Sequence, residues 1–378
     1  MRSAAISAIF LFFAFVLKAQ TSVVQKYEHS NAYAGIEVGA KGVKMSIVEL
    51  DKKAGEDGEF TILKDTSINT DFISFTQPTY QATLAALNNL YEVAVTQNKI
   101  PVANVFTAIS SGVNIQAQKE DKESWIDQLV NAFKLNNNEP DRKVAVIDVL
   151  EEARLSHLGI VPELRRYNTF LIDIGSGNTK GGYFPYGNTK DFRLFQLTWG
   201  TKSAFNAADK MLGEDKGLEN YSSQLSRVLA GAENNEIVYA VNASGAFPKS
   251  DNIAFSGGIA WALATLITPE LNDNAVVGVT YDDVLQFSEK LFKNPSLYSD
   301  FYIVKTLPEN SSVDADKLSK DVKQVNKVFD QRALLAGTGL LLKIMRQFDG
   351  VVERKKFYLV KNGSVGWISA YVSQHVSK

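Results

Sequence analysis

Residues 168–184 read NTFLIDIGSGNTKGGYF. Aromatic, aliphatic and β-branched residues run up to Asp173, a glycine-bearing turn follows, and the chain resumes as a second strand. An acid at a strand end followed by glycines suits phosphate for a physical reason. Glycine at the tip lets backbone N–H groups point inward as a concave anion nest, with no side chain in the way. The acid cannot bind phosphate itself, but its hard oxygen atoms suit a hydrated Mg²⁺ that bridges phosphate oxygens. Taken alone, such a hairpin is more often only a turn.

The chain carries the pattern twice. YAGIEVGAKGVKMSIVEL, residues 33–50, reads as strand 33–38, turn 39–42 and strand 43–50. Laying Ile36-Glu37-Val38-Gly39 over Ile172-Asp173-Ile174-Gly175 brings Lys44 onto Lys180 at a constant offset of 136 residues. This duplication predicts two similar α/β domains facing one another across a cleft. Between the hairpins, Leu84, Leu87, Leu90, Tyr91 and Ala94 share one helical face, predicting a helix over 80–97. Strands are expected at 60–63, 104–109 and 144–149, and a helix at 125–133. Later helices are expected at 203–212, 218–231, 260–267, 281–291 and 332–347. In the closing FYLVKNGSVGWISAYV (357–372), Asn362-Gly363 signals a two-residue hairpin.

Of the 378 residues, 45% are apolar and 22% charged, as in an ordinary soluble globular protein of two domains. Forty basic against 42 acidic residues give a net charge of −2, so no nucleic-acid duplex is expected as partner. The absence of cysteine excludes thiol nucleophiles, Cys-ligated zinc, iron–sulfur clusters and disulfides. The three histidines, His29, His157 and His375, are too scattered for a local metal motif.

At the N-terminus, Arg2 precedes fifteen uncharged residues and then Lys18-Ala19-Gln20. That pattern reads as a secretory signal peptide over 1–20, with a retained anchor helix as the other reading. The apolar run is shorter than the ~20 residues that span a bilayer, so no stable membrane anchor is expected. Cleavage would leave 38 basic and 42 acidic residues in an exported protein, periplasmic or secreted. Export also argues against an ATP-driven kinase or filament. The expected domains are 21–150 and 151–378, the last helix free to pack back on the first domain.

VLEEARLSHLGIV, residues 149–161, opens a helix with Glu151, Glu152 and Arg154. One reading is a solvated, charged first turn whose acids favour the helix dipole. The other makes Glu152 a general base that activates water for attack on phosphorus. On spacing alone the first reading is preferred.

The block VIDVLEEARLSHLGIV…NTFLIDIGSGNTKGGYF resembles the Ppx/GppA family of exopolyphosphatases and guanosine pentaphosphate phosphohydrolases. Its signature has a helix opening Glu-Glu-Ala-Arg-Leu, then a strand ending Asp-x-Gly-Gly-Gly-Ser-Thr-Glu. TAISSGVNIQAQ (107–118), LTWGTKSAF (197–205), IAFSGGIAWAL (253–263) and VFDQRALLAGTGLLLKIM (328–345) resemble further family segments, in order. The resemblance spans roughly residues 33–372. It implies the fold of the actin, sugar-kinase and heat-shock-chaperone ATPase superfamily: two ribonuclease-H-like domains with mixed sheets flanked by helices.

By position, the resemblance makes Glu152 the water-activating glutamate and Asp173, with Glu37, the holder of Mg²⁺ (or Mn²⁺). It assigns phosphate binding to Gly39, Gly175, Ser176, Gly177, Asn178, Thr179, Gly257 and Gly258, and Lys41 and Lys180, which have no counterpart in the family, are read as further phosphate-binding residues beside them. The sequence also departs from the pattern. Lys180 stands where the family has the acid closing its Ser-Thr-Glu loop. Ala40 and Lys41 replace a Ser-Asn pair, and Glu37 is a methylene longer than the family's aspartate. The usual arginine is missing around Asn114 and Ile115, and Gly366-Trp367 replaces an Arg-Glu pair. One acid lost and lysines gained make the cleft more cationic, although Lys41, Lys44 and Lys180 can also be read as solubility or strand-edge residues. Trp199 and Trp261 read as packing residues.

The expectation is an exported phosphohydrolase acting on terminal phosphoanhydrides of polyphosphate or (p)ppGpp-type nucleotides. The alternatives are a catalytically weakened polyphosphate or nucleotide sensor and an apyrase-like nucleoside phosphatase. Self-association into a homodimer is left open.

Overall fold

The computed structural model describes residues 23–25, 30–50, 60–309, 311–350, 353–361, 363 and 366–376. The expected signal peptide, 1–20, lies outside them. In the first half the strands are β1 (Asn31–Val38), β2 (Gly42–Leu50), β3 (Thr61–Asn69), β4 (Val105–Ile109) and β5 (Val144–Val146). The helices there are α1 (Gln77–Glu92), α2 (Ser111–Lys119), α3 (Glu123–Asn136) and α4 (Val149–Ile160). The second half contains β6 (Thr169–Ile174), β7 (Thr179–Tyr183), β8 (Arg193–Leu197), β9 (Asn252–Ser256), β10 (Val276–Val279) and β11 (Lys356–Val360). Its helices are α5 (Thr201–Lys210), α6 (Leu218–Ala232), α7 (Val238–Ser244), α8 (Gly258–Ile267) and α9 (Tyr281–Lys293). They continue with α10 (Asp300–Lys305), α11 (Ala315–Val328), α12 (Gln331–Met345) and α13 (Gly366–Val376).

The strands form two mixed sheets, ordered β3-β2-β1-β4-β5 and β10-β11-β9-β6-β7-β8. Read outward from the hairpins, they follow the same plan. An antiparallel meander (β1-β2-β3 or β6-β7-β8) is extended on the other side by two parallel strands, β4 and β5 or β9 and β11. The second sheet adds β10 at its edge. The duplication seen in the sequence is thus a duplication of topology. Helices cover both faces, so the central strands are apolar nearly throughout and cannot be solvated on either side. Ile36, Met45, Leu87 and Phe133 anchor the first core, and Phe170, Phe195, Phe255 and Leu340 the second.

A smaller cluster lies between α4 and α13, formed by Ile147, Leu155, Trp367, Ile368 and Ala370 with Ala108 of β4. Here two helices touch through glycine. A Cβ on Gly159 would lie 2.1 Å from the Gly366 carbonyl oxygen, and one on Gly366 would lie 2.4 Å from Ile160 Cγ1. Helix α13 also packs on the first sheet, where a Cβ on Gly35 would meet Ile368 Cγ1 at 2.7 Å.

Three expectations change. The strand expected to run to 149 stops at Val146, because Asp148 caps α4 by accepting a hydrogen bond from Glu151 N at 2.8 Å. The boundary expected between residues 150 and 151 therefore falls inside a helix. Of the expected Asn362-Gly363 hairpin, Asn362 lies outside the described residues, and the next named element after β11 is the helix α13. Gly363 is required there by close approach, its added Cβ falling 2.5 Å from Ser256 Cβ. The short strand expected at 60–63 extends to Asn69 by pairing with β2, a tertiary contact that the polar sequence TILKDTSIN does not announce.

Candidate functional site

The hairpin registers place an acid opposite a lysine twice. Glu37 is the cross-strand partner of Lys44 in β1–β2, and Asp173 that of Lys180 in β6–β7. Directly opposed residues in an antiparallel pair project their side chains to the same face. Lys44 remains half-buried. Lys180 is only 7% exposed, so its ammonium needs partners from the protein.

It has them. Lys180 Nζ lies 2.8 Å from Glu152 Oε1 and 3.5 Å from Asp173 Oδ2. Glu152, 2% exposed, enters from the first turns of α4 while Ser111 N, at the start of α2, donates to its Oε2 at 2.6 Å. A carboxylate at a helix N-terminus is favoured by the dipole and the free N–H groups. Burial opposes the charge on Glu152, but the Lys180 ammonium and the Ser111 amide outweigh it and leave the carboxyl below its ordinary value. Burial likewise opposes the charge on Lys180, and Glu152 and Asp173 beside it raise it above an ordinary lysine. Asp173 is held from its other side by Ser256 Oγ, which donates to Oδ1 at 3.0 Å.

Glu37 completes the acid set without touching the lysine. Burial pushes its carboxyl up to about 7, against the pull of Lys44, and Glu152 nearby adds to the rise. Its Oε2 is buried with no hydrogen-bond partner among the described residues. The Trp367 indole, on α13, is beside it.

The glycine turns surround this cluster. In the first, Gly39 N donates to Gly42 O at 2.9 Å; in the second, Gly175 N donates to Asn178 O at 3.0 Å. A Cβ added to Gly177 would meet nothing within 4 Å, so that tip faces open space. Gly257, at φ +93°, starts α8 against Asp173, where an added Cβ would lie 2.3 Å from the Ile174 carbonyl. Gly258 packs beside Phe329. The two halves meet at the rim through Asp71, which is 2.8 Å from Lys41 and 3.9 Å from Lys202 at the start of α5.

Two residues assigned to phosphate have other work. The Thr179 hydroxyl is buried and donates to the Trp199 carbonyl at 2.7 Å. Lys180 faces carboxylates rather than an open loop. The amides of Thr201, Lys202 and Ser203 are also engaged, donating to the carbonyls of Gly175 and Ser176. His157, farther along α4, is a core residue. Its Nε2 is 3.0 Å from Thr169 O, and burial pushes the ring down to about 4.

Nor does the donor set fit a divalent ion as the sequence reading had it. The Lys180 ammonium already occupies a Glu152 oxygen and lies between that carboxylate and Asp173. No group of three or more His, Asp or Glu side chains among the described residues is arranged to hold a metal.

No family model matches the chain, and no curated protein matches it in sequence. Solved structures do match. A Ppx/GppA family member from Aquifex aeolicus aligns over 92% of this chain and 98% of its own, at 15% identity and a TM-score of 0.60. The chain shares the Ppx/GppA fold. An exopolyphosphatase from Cytophaga hutchinsonii aligns over 90% of this chain and 98% of its own, at 14% identity and a TM-score of 0.57.

The acid cluster lies where the two halves meet, with Lys180 of the second on Glu152 of α4 and Lys202 near Asp71 at the rim. Sequence reading missed Ser111, Ser256, Asp71 and Lys202. The first two act through positions set by tertiary contacts, and no local pattern marks them. Lys202 was legible as a basic residue following the Trp-Gly turn at 199–200.

Proposed function

We propose that this protein is a Ppx/GppA-type phosphate protein acting on the terminal phosphoanhydride of polyphosphate or of a nucleotide. The observation that carries the reading is the gathering of Glu37, Glu152 and Asp173 from three elements beside two glycine turns. In the hydrolytic form, water attacks the terminal phosphorus and the bond to the bridging oxygen breaks. Glu152 takes the water's proton, and the leaving phosphate keeps the bond's electron pair. The protein's share of such a reaction is mostly positioning and charge stabilisation. We also propose export, on the strength of residues 1–20.

A second reading has its own observation. Both Glu152 oxygens are engaged, by Lys180 and by Ser111 N, which favours a module that binds the polyanion without turning it over. Phosphate release from long-chain polyphosphate, pppGpp and ATP, each with Mg²⁺, Mn²⁺ or EDTA, tests the first reading. A parallel binding titration separates the two. Release of phosphate from any of them supports the enzyme; binding without release supports the sensor; neither binding nor release overturns both.

A further inference from the structure

The geometry points to Lys180 as the resident cation of the cleft, an ammonium standing in for a divalent metal ion among the carboxylates of Glu152 and Asp173. The inference concerns the proposed phosphate site, but its decisive test requires no phosphate.

Four observations carry it. First, the lysine is held by register: β7 lies between β6 and β8, and Lys180 is the direct partner of Asp173. Second, its contacts come from different elements, Glu152 from α4 and Asp173 from β6, at 2.8 and 3.5 Å. Third, the remaining carboxylate oxygens already accept hydrogen bonds. Glu152 Oε2 takes the Ser111 amide and Asp173 Oδ1 the Ser256 hydroxyl. Fourth, the duplicated lysine, Lys44, lies opposite Glu37 but is not within ion-pair distance of it among the described contacts, so the buried pairing is special to the second hairpin.

The charges then decide what else can enter. Mg²⁺ requires oxygen ligands at roughly 2.0–2.1 Å in near-octahedral array. An ion on the same Glu152 oxygen as Lys180 would put a double positive charge within a few ångströms of the ammonium. Like charges that close repel strongly in a poorly hydrated interior. Metal and lysine therefore exclude one another. A buried lysine that keeps two carboxylate partners does the metal's charge-balancing work permanently, with no dependence on free ion concentration.

The test is a Mn²⁺ titration of the full-length protein, without phosphate, followed by calorimetry and thermal unfolding. Wild type is expected to give no saturable site and no shift in Tm. Lys180→Met, which releases the carboxylates, is expected to gain one site at least ~10-fold tighter than any wild-type binding. Lys180→Arg, which keeps the charge, is expected to remain blind to metal. Saturable one-to-one Mn²⁺ binding by wild type overturns the inference, whether or not the variants fold. A folded Lys180→Met protein with no metal site overturns it too.

A second arm uses tripolyphosphate. Wild-type affinity in EDTA should lie within ~3-fold of that in Mg²⁺ once chelation by the ligand is corrected for. Binding that requires the divalent ion overturns the inference. Failure to bind tripolyphosphate under either condition overturns the proposed function instead, and the phosphate-free titration still decides the role of Lys180.

Discussion

Lys180 Nζ and Glu152 Oε1 are 2.8 Å apart across the junction of the two halves, the lysine from a strand and the glutamate from a helix. Each is buried, so each depends on the other for its charge. Removing one partner of such a pair leaves an uncompensated charge and typically costs about 3–5 kcal/mol. Lys180→Met should therefore lower stability by that order. Glu152→Gln combined with Lys180→Met should cost less than the sum of the single changes. A double-mutant cycle by urea unfolding measures the coupling, expected at about 0.5–3 kcal/mol. Strict additivity would show that the ion pair is not energetically real.

Glu152→Gln also separates turnover from binding. Gln keeps the size of the side chain and an oxygen for the Ser111 amide but cannot take a proton. Under the hydrolytic reading, phosphate release should fall by ~10²–10⁴-fold. The affinity for tripolyphosphate should barely move. A parallel loss of affinity and rate would instead make Glu152 a positioning residue.

Glu37 gives a signed pH dependence. Its folded-state carboxyl titrates at about 7, above the ordinary 4.5, chiefly through burial. Below pH 4.5 both states are protonated and the group costs nothing. Between about 4.5 and 7 the unfolded chain ionises first, so stability falls as pH rises, and above 7 the loss is constant. Glu37→Gln should remove this slope and raise stability at pH 8 by about 3 kcal/mol. Unfolding curves across that window check it, and an unchanged slope in the variant counts against the shift.

Asp71 holds two lysines at the rim, Lys41 from the first turn and Lys202 from the start of α5. Half-exposed pairs of this kind contribute little to stability, about 1 kcal/mol or less. Asp71→Asn should leave folding nearly unchanged and free both cations for an anion. Tripolyphosphate binding should tighten by ~3–10-fold at low salt, the gain shrinking as salt screens the charges. No gain at low salt would place the rim outside the binding path.

Gly159 tests the backing of the site. An added Cβ would lie 2.1 Å from the Gly366 carbonyl, which is backbone and cannot step aside. Gly159→Ala should push α13 from α4 and cost about 1–3 kcal/mol. Gly177→Ala, with nothing within 4 Å of its added Cβ, is the matched control and should cost under about 1 kcal/mol. Equal unfolding midpoints for the two variants would rule out the tight helix contact.

Both halves were legible in the chain because a hairpin is a local object. A run of apolar residues, a terminal acid, a glycine turn and a lysine on the return strand lie within a few residues of one another, and register follows from the turn. That is why Glu37 and Asp173 emerged opposite lysines as the constant offset implied. Helices with one apolar face were legible for the same local reason, with ends off by a turn where a cap such as Asp148 took over. The partners of those hairpin residues were not legible. Glu152 reads equally as a solvated first turn or as a base, and only the packing of α4 against β7 and α2 buries it on Lys180 and Ser111. Asn362-Gly363 reads as a hairpin because local turn propensity favours it; Asn362 lies outside the described residues, and Gly363 and Gly366 sit where close contacts with Ser256, Gly159 and Ile160 require glycine. Local sequence determined the two glycine hairpins. Long-range packing decided which charges meet between them, because the energy of a buried charge depends on neighbours that the chain brings from far away.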